Sequence, residues 1–196
     1  MALQERRERE RSLRRQVIVT AARELAEADG WDAVTTRRLA DSIEYSQPVL
    51  YSHFKGKEDI VAAVAVEGFG ELADIMRDAR LGAATPEAAL RALAESYVDF
   101  ATTNPALYDA MFTLSTRLHF GQPETPAPLR AAFAELRAAV MPLAAERDPD
   151  TLSEVAWSSL HGLASLSRAG RLRPDYHEGR LTMLVDQLAA VPASTR

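Results

Sequence analysis

Apolar residues recur along this chain at three- and four-residue intervals almost from end to end, and no stretch alternates as a strand would. The pattern predicts an all-α protein. A first helix is expected from about Leu13 to Ala28, with Leu13, Val17, Ala21 and Leu25 on one face and Asp29-Gly30 ending it. Two short helices then fit the segment Thr35 to Lys57, TTRRLADSIEYSQPVLYSHFKGK. Leu39 and Ala40 are the buried side of the first, Glu44-Tyr45 make the corner, and Ser46 is a good cap for a second helix beginning Gln47-Pro48. Proline suits that first turn because its missing N–H has no partner there anyway. Val49, Leu50 and Phe54 supply the apolar contacts of the second helix, and Gln47, Tyr51, Ser52 and His53 face outward. Two helices so joined have the plan of a helix-turn-helix.

Beyond it, Lys57 to about Arg80 reads as a long connector carrying Ile60, Val64, Phe69, Leu72 and Met76, and LGAATP breaks the pattern. Thr85 as cap with Pro86 in the first turn opens the next helix, whose core stripe is Leu90, Leu93, Tyr97, Phe100 and Ala101. Asn104-Pro105 ends it, and a short helix holds Leu107, Tyr108, Met111, Phe112 and Leu114. The run FGQPETPAP, with three prolines, is expected to be an exposed, mobile loop. Leu129, Phe133, Leu136 and Val140 mark another helix, which Pro142 kinks or ends. Thr151 to Glu154 has the form of a capping box for a helix reaching Ala169-Gly170, and a last helix runs from Asp175 to about Ala190 with Leu181, Leu184, Val185 and Leu188.

A chain of 196 residues with 47% hydrophobic content can bury a core in one or two small domains. Its net charge of −5 argues, taken whole, against nucleic acid. The local count reverses that inference. Through Glu58 there are eleven Lys and Arg against ten Asp and Glu, a net +1, which leaves −6 for the remainder. A DNA-binding head on an acidic body has that asymmetry. The two lysines of the chain, Lys55 and Lys57, both follow the second short helix, where phosphates are expected.

A helix laid in the major groove presents its N-terminal side chains to base edges, and Gln47 suits paired hydrogen bonds to adenine. Pro48 and Val49 suit thymine methyls, Tyr51 and His53 suit phosphates or base edges, and Lys55 and Lys57 suit phosphates. Thr36 and Arg37 stand at the front of the preceding helix, where free N–H groups favour a phosphate. The arginine-rich arm from Arg6 to Arg15 offers reach along the backbone or into a minor groove, but Glu5, Glu8 and Glu10 cancel half its field, so a solvated helical or disordered extension is the favoured expectation.

Val17-Ile18, Ala21-Ala22, Leu25, Gly30, Thr36, Leu39-Ala40, Leu50-Tyr51, Phe54, Lys57-Glu58 and Ile60 together resemble the DNA-binding domain of the tetracycline-repressor (TetR) family. The resemblance covers the first third of the chain and implies DNA contacts by Thr36, Arg37, Gln47, Pro48, Tyr51, His53 and Lys57. The chain departs from it at Glu44, where the family usually has glycine; if that corner takes a positive φ, the glutamate costs about 1 kcal/mol. In the second half, SYVDFATTNPALYDAMF and EVAWSSLHGLASLSRAGRL, with Trp157, His161 and Gly162, resemble the "WHG" class of TetR ligand domains. Trp157 and His161 share a helix face, and with Phe100, Tyr108, Met111 and Phe112 they are the candidate lining of a pocket, against the plainer reading that an aromatic stripe at helical spacing is core. Ser158, Gly162, Ser165 and Ala169 form a ridge of small residues that permits close helix approach. The resemblance implies that the last two helices pair between subunits, so these four with Leu181, Leu184, Val185 and Leu188 are the candidate dimer interface; packing within one subunit is the alternative.

The expected architecture is therefore an N-terminal three-helix bundle with a helix-turn-helix over residues 1–58, its basic arm over 1–12, followed by an antiparallel helical bundle for ligand binding and dimerisation over 59–196. The expected function is a cytoplasmic, homodimeric repressor that binds a double-stranded, pseudo-palindromic DNA operator and is released by a small molecule with an apolar body. The alternatives are a regulator without a pocket, controlled by a protein partner or constitutive, and a helical enzyme. The second has little support: the four histidines show no metal-ligand spacing, no phosphate loop precedes Lys55-Gly56-Lys57, and no Gly-x-Ser-x-Gly elbow occurs. No cofactor, metal, catalytic residue or membrane span is expected, and zero cysteines leave no disulfide or thiolate chemistry.

Overall fold

The computed structural model describes residues 2–116 and 118–190, the side chains of residues 2 and 3 excepted. The first residue of the expected arm and the last six of the expected second domain lie outside the described residues. Among those described, the chain forms nine α-helices and no strand, as the spacing predicts. They are α1 (Ala2–Asp29), α2 (Thr36–Ser42), α3 (Gln47–His53), α4 (Lys57–Leu81), α5 (Pro86–Thr103), α6 (Pro105–Phe112), α7 (Ala127–Val140), α8 (Pro149–Arg168) and α9 (His177–Ala189). None is long and apolar enough to cross a membrane.

The chain divides into two compact units. The first takes the residues up to Gly68 together with Asn104–Gln122, so it contains α1, α2, α3, the start of α4, and α6. Its core is Ile18, Val19, Ala22, Ala26, Trp31, Leu39, Leu50, Phe54, Ile60 and Val64, with Leu107 and Tyr108 from α6. The buried stripe of α1 is offset from the expected one: Leu13 and Val17 are exposed, and burial falls on Ile18, Ala22 and Ala26 instead. The helix also begins near residue 2 rather than at Leu13, since the Arg-rich arm is a helical extension with an exposed surface. Gln4 to Glu8 and Arg6 to Glu10 are side-chain links at i,i+4 along it.

The second unit takes Phe69–Thr103 and the residues from Pro123 onward, with α5 packed against α7, α8 and α9. Leu90, Leu93, Tyr97 and Phe100 of α5 are buried there with Leu129, Leu136, Val140, Leu160, Leu181 and Val185. Glu135 of α7 accepts from Arg77 Nε at 2.9 Å and from Arg80 Nη2 at 2.6 Å, which fastens the last turns of α4. Thr85 caps α5 as expected, its Oγ1 accepting from Ala88 N at 3.2 Å. The start of α8 differs from the expectation. Asp148 is the cap, accepting the Thr151 N–H at 2.8 Å, so Thr151 lies inside the first turn rather than at its head. Asp148-Pro149 outcompetes the Thr151 box because a carboxylate at the N-cap and proline just behind it satisfy the same backbone groups three residues earlier.

Candidate nucleic-acid interface

Three local devices build the segment from α2 to α3. Thr35 caps α2, its hydroxyl accepting the Arg38 N–H at 3.2 Å. The corner follows a Schellman geometry: Tyr45 N donates to Ala40 O at 3.0 Å, and Glu44 between them takes φ 56°. The glutamate thus occupies the positive-φ position for which glycine is usual, as Gly170 does with φ 64° after α8. At α3, Ser46 stands in the cap position by backbone only, since its side chain makes no cap hydrogen bond; its carbonyl accepts from Val49 N at 2.9 Å. The expected hydroxyl cap is therefore replaced by a turn that Pro48 stabilises.

Leu50 and Phe54 anchor α3, at 1% and 3% exposure, and Val49 is half-buried. Burying that side turns Gln47 and Pro48 outward, together with Tyr51, which is 55% exposed. Arg37 and Lys55 are exposed as well, and Thr36 is partly so at the front of α2. Lys57 differs from the others: it is half-buried, and its ammonium donates to the Trp31 carbonyl, which ties the start of α4 to the turn after α1. An ammonium has three donors, so this bond leaves two for a phosphate. His53 is half-buried, and its pKa is lowered from 6.5, first by burial and then by Arg11, Arg14 and Arg15.

Sequence spacing did not reveal how this surface is held in place. The Arg15 guanidinium lies 4.2 Å over the Phe54 ring and donates to the His53 carbonyl at 3.3 Å, so α1 clamps the C-terminal end of α3. Arg38 pairs with Asp29, and Gln16 donates to Glu67 at 3.1 Å. Beside the clamp is an open groove of about 400 Å³, whose lining includes Arg15, His53, Asp59, Val66 and Glu67. Partners so far apart in sequence carry no local signal.

The candidate pocket residues are divided between the two units. Tyr108, Met111 and Phe112 belong to the first, with the Tyr108 and Phe112 ring centroids 4.7 Å apart. Phe100, Trp157 and His161 belong to the second, Phe100 buried and the other two half-buried. His161 Nε2 is 3.4 Å from Ser165 Oγ, and its pKa is lowered by burial and secondarily by Arg168. Among the candidate dimer residues, Leu181, Val185 and Leu188 are buried within their own unit, on the helix that packs against α5. Leu184 is half-buried. Ser158, Gly162, Ser165 and Ala169 are exposed or half-exposed, and the outward apolar residues nearby in sequence are Val155, Leu166 and Met183.

Comparison with known proteins agrees with this geometry. Residues 18–64 match the family described as bacterial regulatory proteins, tetR family, and residues 90–188 match the tetracyclin repressor-like, C-terminal domain. The chain is 38% identical over 101 residues to the HTH-type transcriptional regulator YobS of Bacillus subtilis (strain 168), a match over 50% of this chain that spans only about half, 51%, of that protein. It is 28% identical over 181 residues to the HTH-type transcriptional regulator Rv0681 of Mycobacterium tuberculosis (strain ATCC 25618 / H37Rv), covering 91% of this chain and 81% of that one. Among solved structures, a protein from Rhodococcus sp. RHA1 superposes with a TM-score of 0.72 at 25% identity over 89% of this chain and 93% of its own. The regulator FadR from Bacillus subtilis, solved in complex with stearoyl-CoA, shares the fold with a TM-score of 0.66 at 14% identity over 90% and 99%. With a matched head, a matched C-terminal domain and an outward-facing α3 on a buried anchor, the chain belongs to the TetR family of DNA-binding transcriptional regulators.

Proposed function

We propose that this regulator is a cytoplasmic, homodimeric repressor whose two heads bind the halves of a pseudo-palindromic operator and are released by a small molecule. The first 58 residues carry the DNA-reading surface and the remainder the effector and dimer surfaces. The observation that carries the reading is the two-sidedness of α3, with Leu50 buried beneath exposed Gln47, Pro48 and Tyr51. Gln47 and Pro48 meet base edges, Val49 and Tyr51 pack against them or the backbone, and Thr36, Arg37, His53, Lys55 and Lys57 meet phosphates.

Pairing of two chains places the outward face of α8, from Val155 through Ser158, Gly162 and Leu166 to Ala169, against its copy, with Met183 of α9 beside it. The effector has an apolar body and one polar group, matched to Phe100, Trp157 and His161. FadR was solved with stearoyl-CoA, of which the acyl chain alone resembles such an apolar body. Coupling between effector and operator is reciprocal: a ligand that weakens DNA binding by some factor is itself weakened by DNA equally.

Gel-shift titration on a palindrome found beside the gene and on a scrambled duplex tests the reading. Gln47→Ala is expected to lose about 1 to 3 kcal/mol on the palindrome and little on the scrambled duplex, whereas Lys57→Ala weakens both about equally. An unchanged ratio in the Gln47 variant removes its base-reading role.

A further inference from the structure

The first half of α1 stands apart from the part that packs: side chains from Gln4 to Val17 are exposed, and burial begins at Ile18. The six arginines of this half separate by helix face. Arg6 pairs with Glu10 at 3.0 Å, Arg9 donates to the Glu5 carbonyl at 3.3 Å, and Arg15 is engaged with His53 and Phe54. Arg7, Arg11 and Arg14 make no hydrogen bond or ion pair among the described residues. At 3.6 residues per turn these three fall within about 60° of one another, spread over about 10 Å of helix axis. Glu5 and Glu8 lie on other faces, and Glu10, beside the sector, is held by Arg6. The glutamates that halve the charge of the arm in sequence therefore leave one face of it uniformly positive.

The later part of that face lies by the end of α3. Arg11 and Arg14 lie near enough to His53 for their charge to help lower its pKa, after the larger effect of burial, and Arg15 fixes the two helices together. We propose that Arg7, Arg11 and Arg14 form a second DNA contact, a helical stripe laid along the phosphates that flank the base pairs facing α3. The proposal rests on the reading of α3 as the DNA-facing helix. Guanidinium groups bind phosphate oxygens in paired fashion, and a stripe of this length spans about three phosphates of one strand, spaced about 3.4 Å along the axis. Minor-groove insertion is the rival mode for a basic arm. A helix about 10 to 12 Å across does not enter a groove about 6 Å wide, so the helical state of this arm selects the backbone.

The test uses the full chain and a mixed-sequence duplex of about 40 base pairs, long enough to pass beyond α3 on both sides, with affinity followed by fluorescence anisotropy across a salt series. The double variant Arg7→Gln/Arg11→Gln is compared with the charge-matched Arg6→Gln/Arg9→Gln. The stripe variant is expected to flatten the slope of log affinity against log salt by about 1.8 per bound protomer, about 0.9 for each phosphate no longer neutralised. The matched variant changes it by less than about 0.5, and Arg7→Lys/Arg11→Lys restores the parental slope. Equal flattening in both glutamine variants, or none in the stripe variant, overturns the proposal, and circular dichroism establishes that all variants keep their helix content. If the parent binds no duplex even at low salt, the reading of α3 falls with it. If the parent binds and Gln47→Ala loses sequence preference while the stripe variant behaves as parent, the stripe alone falls.

Discussion

The carboxylate of Glu27 on α1 accepts the backbone N–H of Leu107 at 2.9 Å and that of Ala106 at 3.0 Å, so a side chain from one helix caps the start of another eighty residues away. Trp31 Nε1 donates to the Ala106 carbonyl at 2.7 Å and Arg23 Nη2 to Asn104 Oδ1 at 3.0 Å, which completes the grip on α6. Pro105 has no N–H to offer, so the next two donors of the turn are the ones that need an acceptor. Hydrogen bonds to a charged acceptor contribute about 1.5 to 3 kcal/mol each when one partner is ionised. Glu27→Ala is expected to lower stability by about 2 to 3 kcal/mol, measured by urea unfolding. Glu27→Gln, which keeps one acceptor oxygen, recovers part of it. Unchanged midpoints in both variants show that the cap adds nothing to stability.

Glu44 gives the opposite case, a residue whose replacement stabilises. Its φ of 56° places a side chain in the left-handed region, where a non-glycine residue is about 1 kcal/mol worse than glycine. Glu44→Gly is expected to raise the unfolding free energy by about 0.5 to 1 kcal/mol, net of the extra freedom glycine brings to the unfolded chain. Its side chain is exposed and takes part in no described hydrogen bond, so little is lost in exchange. A fall in stability shows that the glutamate is held there by an interaction worth more than the strain.

These two residues also mark where a sequence can be read and where it cannot. The helix-turn-helix was legible because its signals are local: Pro48 in the first turn, Leu50 and Phe54 four apart, and polar residues on the opposite side. The strain at Glu44 was legible only through the resemblance, which implies glycine at that corner. Glu27 was not, since nothing near it announces a partner on α6, and the Arg15 clamp on Phe54 spans a similar gap. Leu181, Val185 and Leu188 show another limit. An apolar stripe reveals that a face is buried, and only packing tells whether its own chain or a partner buries it. The arm fails in a third way: charge counted along the sequence cancels, whereas charge sorted by helix face does not.

His161 makes stability depend on pH in a stated direction. Burial, and then Arg168, hold its pKa in the folded chain below 6.5, so between that lowered value and 6.5 the unfolded chain binds more protons. Stability therefore falls as pH drops through this window and is fully present above it. In His161→Gln the dependence from this residue disappears, so the stability difference between parent and variant shifts against the parent as the solution is acidified from about pH 7.5. Parallel curves of parent and variant across that range contradict the lowered pKa. A ligand that binds beside the neutral imidazole sharpens the dependence, since it stabilises only the folded, deprotonated form.

Two glycines in helix interiors separate packing within the chain from packing against a copy. A Cβ on Gly68 of α4 meets Leu107 Cδ1 at 2.7 Å and Met111 Sδ at 2.8 Å, closer than any real contact, so α6 can approach α4 only because the side chain is missing. Gly68→Ala gains about 1 kcal/mol of helix propensity but forces overpacking that costs about 1 to 3 kcal/mol, and the expected net is destabilisation. A Cβ on Gly162 of α8 meets nothing within 4 Å in the chain, so nothing inside the subunit requires glycine there. Gly162→Ala is expected to stabilise the isolated chain by up to about 1 kcal/mol. If the outward face of α8 packs against a second copy, Gly162→Leu keeps the fold and drives the chain to monomer, because a bulky side chain separates surfaces that small residues let approach. Sedimentation velocity against a thermal melt distinguishes the two effects. A Gly162→Leu variant that dimerises like its parent frees the ridge of that role, and a Gly68→Ala variant more stable than its parent shows that Leu107 and Met111 yield more readily than their placement implies.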